Sequence, residues 1–145
     1  MRKFILWVVP LVSIAAVAWP AQAVDVTVHL DVDVVTAAPL ADCDVSVPSG
    51  SSGLAVLDAA VANGCIESYE TQTFGFGKLV TCINDLCQTP DETLNAVNWT
   101  VFVDGHVAGE GVSDLRFPAD GTTLGFSYGP WAIYGTCFIL GVACP

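Results

Sequence analysis

Six cysteines constrain this chain more than any other feature of its sequence. They are Cys43, Cys65, Cys82, Cys87, Cys137 and Cys144. An even number of cysteines in a small exported chain is typical of a disulfide-stabilised domain. A zinc site is the alternative, but the spacing of Cys82 and Cys87 has no matching second pair, and neither histidine lies close by. We therefore expect three disulfides. Six cysteines allow 15 pairings, and spacing alone does not choose among them.

The first 23 residues have the three parts of a secretory signal peptide. Arg2 and Lys3 are basic, residues 4–19 are almost entirely apolar, and residues 21–23 read Ala-Gln-Ala. An uncleaved membrane anchor is the alternative, but the apolar stretch contains Pro10 and is shorter than the ~20 residues of a membrane span. We expect cleavage after this leader, a secreted or periplasmic protein, and no membrane span in the mature chain.

The 122 residues that follow the leader are strongly acidic. They carry 15 acids against two bases, Lys78 and Arg116, which gives a formal charge of −13. Binding to nucleic acids or to anionic lipid requires clustered Lys and Arg, so we expect neither partner. With 53% hydrophobic residues in the whole chain, an intrinsically disordered protein is also excluded. The length suits one domain.

Strict alternation over residues 25–34 predicts a strand with one buried face. Its apolar residues are Val26, Val28, Leu30, Val32 and Val34, and its polar residues are Asp25, Thr27, His29, Asp31 and Asp33. Carboxylates two residues apart on a strand lie about 6.6 Å apart, so a calcium site is an alternative to a solvated face. Because no Asp-rich loop accompanies these carboxylates, we expect a solvated face and no metal.

The remaining pattern predicts one helix among several short strands. The helix covers residues 54–63, and the strands cover residues 43–47, 68–74, 79–84, 98–103, 106–108 and 124–128. Leu54, Leu57, Ala60 and Val61 repeat at helical spacing, Ser51 or Ser52 can cap the helix, and Gly64 ends it. Asp104-Gly105 is a strong hairpin signal. This order predicts an α+β domain of the β-grasp type over residues 24–130, followed by an apolar tail over residues 131–145.

Four segments, in the expected order, resemble the C-terminal domain of the transcobalamin-like family. They are Gly53-Leu-Ala-Val-Leu-Asp-Ala-Ala, Phe74-Gly-Phe-Gly-Lys-Leu-Val-Thr-Cys-Ile-Asn-Asp, residues 98–114, and Asp120-Gly-Thr-Thr-Leu-Gly-Phe-Ser-Tyr. The segment 98–114 is the most specific, because it combines a Trp, an alternating strand, the Asp-Gly turn and a later Gly-Val-Ser. The resemblance runs from about residue 26 to residue 128 and implies a β-grasp fold.

The resemblance also implies a ligand and a set of disulfides. In the family's cobalamin carriers the ligand lies between this module and a large helical barrel, which 122 residues cannot contain. The implied ligand is therefore a corrinoid that this chain alone binds weakly. In a β-grasp domain the end of the helix lies near the start of the second strand, which implies a Cys43–Cys65 bond. Cys82–Cys87 and Cys137–Cys144 are the expected neighbouring pairs. A bond from Cys137 to Cys82 or Cys87, clamping the tail onto the sheet, is the alternative.

Aromatic residues near two glycines suggest a contact surface. Phe74, Phe76 and Lys78 flank Gly75 and Gly77, and such a loop can present a flat apolar surface to a ligand or partner. We expect at least one of the two phenylalanines to lie in the core. The spacing of the glycines does not match a phosphate-binding loop.

Further aromatic residues lie near the end of the last predicted strand. Tyr128, Trp131 and Tyr134 form either an exposed patch or a cluster covered by the tail, and Tyr128 and Trp131 are further candidate contact residues. Trp99 falls on the inward face of its strand, so we expect it in the core.

The sequence carries no motif of a catalytic site. It has neither a G-x-S-x-G elbow nor an H-E-x-x-H pair, and three disulfides would leave no thiol as a nucleophile. We therefore expect a non-enzymatic binding or interaction module at the cell envelope, without a cofactor, that uses its aromatic loop or an open sheet edge. Weak binding of a corrinoid such as cobalamin is the alternative.

Overall fold

The structure, a computed structural model, describes residues 24–35, 37–89 and 96–130. In chain order the elements are β1 (Asp25–Val34), β2 (Ala41–Pro48), β3 (Ser51–Ser52), α1 (Gly53–Ala62), β4 (Tyr69–Phe74), β5 (Gly77–Ile83), β6 (Leu86–Cys87), β7 (Val97–Val103), β8 (His106–Val107), β9 (Arg116–Phe117) and β10 (Thr122–Pro130). The order of strands in the larger sheet is β2-β1-β10-β7-β8. β1 and β10 are parallel, and the other neighbours are antiparallel. This mixed sheet with one helix confirms the predicted α+β fold.

The alternation of β1 builds the centre of the core. Val28, Leu30 and Val32 are fully buried, and the polar residues between them lie on the opposite face of the sheet, as period-2 geometry requires. The neighbouring strands place Val45 and Phe126 in the same core. The strand predicted over residues 25–34 is confirmed at both ends.

The helix, predicted over residues 54–63, covers Gly53–Ala62, and the cap and the stop that were predicted for it are confirmed. The Ala55 N–H donates to the Ser52 hydroxyl, and Gly64, with a φ of +73°, supplies the left-handed residue that ends the helix. Gly53, Val56, Leu57 and Ala60 are the buried helical residues, and Leu54 and Val61 are partly buried and pack against the same core. A Cβ atom on Gly53 would lie 2.7 Å from the carbonyl oxygen of Val112, so this glycine sets the side of the helix that packs inward.

Two disulfides lie within the described residues. Cys43–Cys65 joins β2 to the end of the helix, with 6.4 Å between the Cα atoms, and this confirms the pair implied by the resemblance. Cys82–Cys87 joins paired residues of β5 and β6, as expected for neighbours. Cys137, Cys144 and the tail over residues 131–145 lie outside the described residues.

A small sheet of β4, β5 and β6 packs against the larger one through two aromatic residues of β7 and β10. The Trp99 indole N–H donates to the Leu86 carbonyl at 3.0 Å, and the Tyr128 hydroxyl donates to the Cys87 carbonyl at 2.7 Å. The two rings also contact each other, with centroids 4.9 Å apart. Trp99 is 7% exposed, so its predicted place in the core is confirmed. In the described part of the chain, no helix is long and apolar enough to cross a membrane.

We expect the Cys43–Cys65 bond to contribute more stability than the Cys82–Cys87 bond, because it closes the longer loop. The sequence separations are 22 and 5 residues, for which chain entropy predicts losses of about 3 and about 2 kcal/mol. The variants Cys43→Ser/Cys65→Ser and Cys82→Ser/Cys87→Ser should show this order in urea unfolding followed by circular dichroism. A larger loss for the second variant would contradict the expectation.

Candidate functional site

Phe74 and Phe76 form an exposed stacked pair at the tip of the β4–β5 hairpin. Their ring centroids lie 5.7 Å apart and their planes differ by 11°. The two residues are 38% and 55% exposed, so the prediction that at least one belongs to the core is wrong. Phe74 pairs with Gly77 at the end of the hairpin and Phe76 lies in the turn. Both rings therefore project beyond the small sheet and cover each other.

An apolar groove of about 380 Å³ lies beside this pair. Its lining residues are Phe76, Leu79, Trp99, Thr100, Val101, Val107, Ala108, Gly109 and Glu110. They come from the β4–β5 hairpin, from β7, and from β8 with the segment that follows it. The volume falls within the range of small-molecule sites, and mostly apolar walls with few polar groups are typical of such sites.

Hydrogen bonds hold the β4–β5 hairpin against residues 111–113, which directly follow the groove-lining residues 107–110. The Gly111 N–H donates to the Phe76 carbonyl at 3.0 Å, and the Val112 N–H donates to the Lys78 carbonyl at 2.8 Å. The Lys78 N–H donates to the Ser113 hydroxyl at 2.9 Å. A Cβ atom on Gly111 would lie 2.7 Å from backbone atoms of Lys78, so only glycine allows this close approach. The two walls of the groove are therefore held at a set distance.

Thr100 is the buried polar residue among the described residues of the groove wall. It is 4% exposed, and its hydroxyl oxygen has no hydrogen-bond partner within the described structure. A buried hydroxyl without a partner costs about 1–3 kcal/mol, and most native proteins avoid it. The folded protein therefore bears this cost at Thr100.

Among the described residues that line this groove, Glu110 is the charged one. It is exposed and also lines a second, wider groove of about 540 Å³ on the other side of residues 107–110. His106 and Arg116 lie on that second groove. The guanidinium of Arg116 donates to the Ser113 and Leu115 carbonyls, so it is held against the backbone.

The structure brings together some of the predicted contact residues but not all of them. Phe74 and Phe76 form the exposed pair. Lys78 lies next to the groove through its backbone, but it is not among the lining residues. Tyr128 packs between the two sheets against Trp99 and is not among the lining residues of the groove, and Trp131 lies outside the described residues.

Sequence reasoning missed Thr100 and the segment from Val107 to Glu110. The alternation that puts Trp99 on the inward face of its strand puts Thr100 on the opposite face. Nothing local in the sequence indicates that this hydroxyl is buried without a partner. The Gly-Glu-Gly run at residues 109–111 is a weak sequence signal for this segment, because Gly111 allows its backbone to approach the hairpin closely.

The polar face of β1 is an acidic surface centred on one histidine. The His29 ring lies 3.0 Å from Asp44 and 3.4 Å from Asp42, and these side chains are substantially exposed. Partial burial, and then the charges of Asp33 and Asp42, raise the pKa of Asp31 above its ordinary value of 3.8. Among residues 24–35, 37–89 and 96–130, no cluster of three or more His, Cys, Asp or Glu residues could hold a metal ion.

We expect the variant Thr100→Val to be more stable than the parent protein. Valine keeps the branched shape and removes the unpartnered hydroxyl, so the free energy of unfolding should rise by about 1 kcal/mol. Urea unfolding measures the change. Thr100→Ser keeps the hydroxyl and is the control, for which no gain is expected. A clear loss of stability in Thr100→Val would show that the hydroxyl has a partner in the folded protein.

We expect Asp31→Asn to raise stability near pH 7 and to have little effect below pH 4. Because the folded state raises the pKa of Asp31, it binds the proton more tightly than the unfolded chain does. The stability that this tighter proton binding contributes is fully present below about pH 3.8. It is lost as the pH rises through the pKa of Asp31 in the folded state. Urea midpoints from pH 3 to pH 7 measure this change, with Asp85→Asn in an exposed turn as control. A gain from Asp31→Asn that does not depend on pH would contradict the expectation.

Comparison with known proteins supports the fold. No protein-family model and no curated protein matches the sequence. A crystal structure of haptocorrin in complex with Cbi is similar to this structure, with a TM-score of 0.62 and 20% sequence identity. The similarity covers 76% of this chain and 26% of the haptocorrin chain, so this chain matches about a quarter of that protein's length. The chain therefore has a transcobalamin-like fold.

Proposed function

We propose that the chain is a non-enzymatic binding module of the cell envelope or the extracellular space. Its contact surface is the Phe74–Phe76 pair together with the adjoining apolar groove. The observation that carries this proposal is Phe76, which is 55% exposed and also forms part of the groove wall. Burial of a phenylalanine side chain contributes about 1.5–3 kcal/mol. A partner that covers this pair would gain that contribution.

The chemistry of the groove favours binding over catalysis. Its lining residues within the described ranges include one hydroxyl, Thr100, and one carboxylate, Glu110, and otherwise carry apolar side chains or none. Nucleophilic catalysis requires a base within hydrogen-bond reach of the nucleophile, and the Thr100 hydroxyl has no such neighbour in the described residues. The two disulfides fit an oxidising compartment, which agrees with the signal peptide expected over residues 1–23.

A corrinoid is the second candidate for the ligand. Haptocorrin, whose fold this chain shares in part, was crystallised with Cbi. A groove of about 380 Å³ is smaller than a corrin ring with its side chains, so it would contact one edge of such a ligand. Because this chain matches only 26% of the haptocorrin chain, a second binding surface would have to cover the rest.

The test of the proposed surface is a titration with indole, the planar side-chain group of tryptophan. Oxidised chain 24–145 is labelled with ¹⁵N, and amide shifts are followed during the titration. We expect saturable changes at residues 76–79, 99–101 and 107–110, with a dissociation constant of about 1 mM, or roughly −4 kcal/mol. Phe74→Ala/Phe76→Ala should weaken binding at least fivefold. Val35→Ala, at another exposed apolar residue, is the control and should not change it.

The corrinoid alternative is tested with cyanocobalamin, by absorbance and calorimetry on the same chain. Saturable binding tighter than ~100 μM, roughly −5.5 kcal/mol, would make the corrinoid the primary ligand. The absence of heat and of a spectral shift at millimolar ligand would exclude it for this chain alone. If indole also leaves the groove amides unchanged, the groove is not a binding surface.

A further inference from the structure

We propose that the outer edge of β2 is a second binding surface. It takes an extended segment of another protein in which Lys or Arg residues alternate with apolar residues, and this segment adds a sixth strand to the larger sheet. β2 lies at the opposite edge of that sheet from β7 and β8, which line the groove. The proposal therefore stands independently of the proposed function.

The pairing of β2 with β1 determines which backbone groups β2 presents at its outer edge. The Ser49 N–H donates to the Val24 carbonyl at 2.8 Å, and the antiparallel register repeats this pairing at every second residue, from 47 to 43. The N–H and C=O groups that point away from β1 are those of Asp42, Asp44 and Ser46. Among the described strands, only β1 pairs with β2, so these groups can pair with a further strand.

In the described part of the chain, β2 has the one strand edge that is both long and regular. β3, β6, β8 and β9 have two residues each, and the register of β4 shifts between Glu70 and Thr71. Short strands and irregular registers are common ways in which proteins prevent pairing with other chains. β2 instead pairs with β1 in one register over all eight residues, so its ladder can continue on the other side.

The charge of β2 determines the kind of segment that fits. Asp42 and Asp44 are exposed, although both contact the His29 ring. Asp31 and Asp33 lie on the same face of the neighbouring strand. After partial burial, the charges of Asp33 and Asp42 raise the pKa of Asp31, so these carboxylates share a negative field. Lys or Arg residues opposite β2 would therefore be attracted to this face.

The same carboxylates exclude a second copy of the chain as the partner. Antiparallel pairing of two β2 strands would bring Asp42 and Asp44 of one copy close to those of the other. Like charges on paired strands destabilise the pairing. With only Lys78 and Arg116 as bases after residue 23, this chain also has no segment of alternating basic residues to offer.

The strand is rigid before a partner binds. Val45 and Val47 are buried in the core, the helix packs against β2, and the Cys43–Cys65 bond ties the strand to the end of the helix. A partner therefore does not have to order this side of the interface. Both cysteines are partly buried and pack against the core, so apolar residues of the added strand would lie beside an apolar face.

The probe is the peptide acetyl-Val-Thr-Val-Lys-Val-Lys-Val-amide. In antiparallel pairing its lysines lie opposite Asp44 and Asp42, and its threonine lies opposite Ser46. The N–H of the valine between the lysines points away from β2, and it is methylated so that the peptide does not assemble with itself. On oxidised, ¹⁵N-labelled chain 24–145, we expect saturable amide shifts at residues 41–47 and none at residues 107–110.

Strand pairing is tested by moving the methyl group to the N–H of the lysine opposite Asp44. This change keeps the charge and removes one ladder hydrogen bond, so affinity should fall about fivefold. On the protein side, Ser46→Pro removes an outward N–H but no bond to β1. It should weaken binding similarly while the urea midpoint stays close to that of the parent.

The charge preference is tested with Asp42→Asn/Asp44→Asn. From the usual size of exposed ion pairs, this variant should bind the lysine peptide about fivefold more weakly. Glu67→Gln/Asp85→Asn changes the net charge equally at exposed residues outside β2 and should keep the affinity. A peptide with Glu in place of both lysines should not bind.

Three results would overturn the proposal. The first is the absence of amide shifts at residues 41–47 with millimolar peptide. The second is an affinity that methylation of the lysine N–H leaves unchanged, since the peptide would then be held by charge without strand pairing. The third is equal binding of the Glu peptide. Because the indole titration is followed at the groove amides, failure at β2 leaves the proposed function standing, and failure at the groove leaves β2 standing.

Discussion

The parallel pairing of β1 with β10 is the constraint on which the rest of the structure depends. Parallel neighbours cannot be joined by a tight turn, so the chain between Val34 and Thr122 must leave the sheet and return. This connection contains β2, the helix, the small sheet and the β7–β8 hairpin. Because β1 and β10 are central, β2 and β7 complete the sheet on either side. The groove follows from the same path, since it forms where the small sheet meets β7.

The elements that could be predicted from the sequence are those whose signal is local. The period-2 pattern of β1 spans ten residues, and the left-handed conformation of both Asp104 and Gly105 follows from a two-residue hairpin turn. In contrast, β3, β6 and β9 have two residues each, too few for any period. Ser51 pairs with Phe117 only because the fold brings them together. The buried face of the helix depends on Gly53 against Val112, which is also a long-range contact.

The candidate site could be predicted only in part, for a related reason. Phe74 and Phe76 could be identified because aromatic residues beside glycines are visible in the sequence. The groove, however, is built from segments that are distant in sequence, and the burial of the Thr100 hydroxyl has no local sequence signal. A polar group buried without a hydrogen-bond partner is an exception to the general rule that buried polar groups are hydrogen-bonded. Such local conflicts are expected where a protein retains a site at some cost in stability.

The direction of β1 and β10 also determines how the domain responds to a mechanical load. Because the two strands are parallel, the chain enters near residue 24 at one end of the sheet and leaves near residue 130 at the other, roughly 40 Å away. Tension between these points acts along both strands. It loads the seven register pairs from Val28–Thr122 to Val34–Tyr128 in shear, rather than peeling them apart one at a time. Within a longer protein, a domain loaded in this direction would keep a constant length under tension.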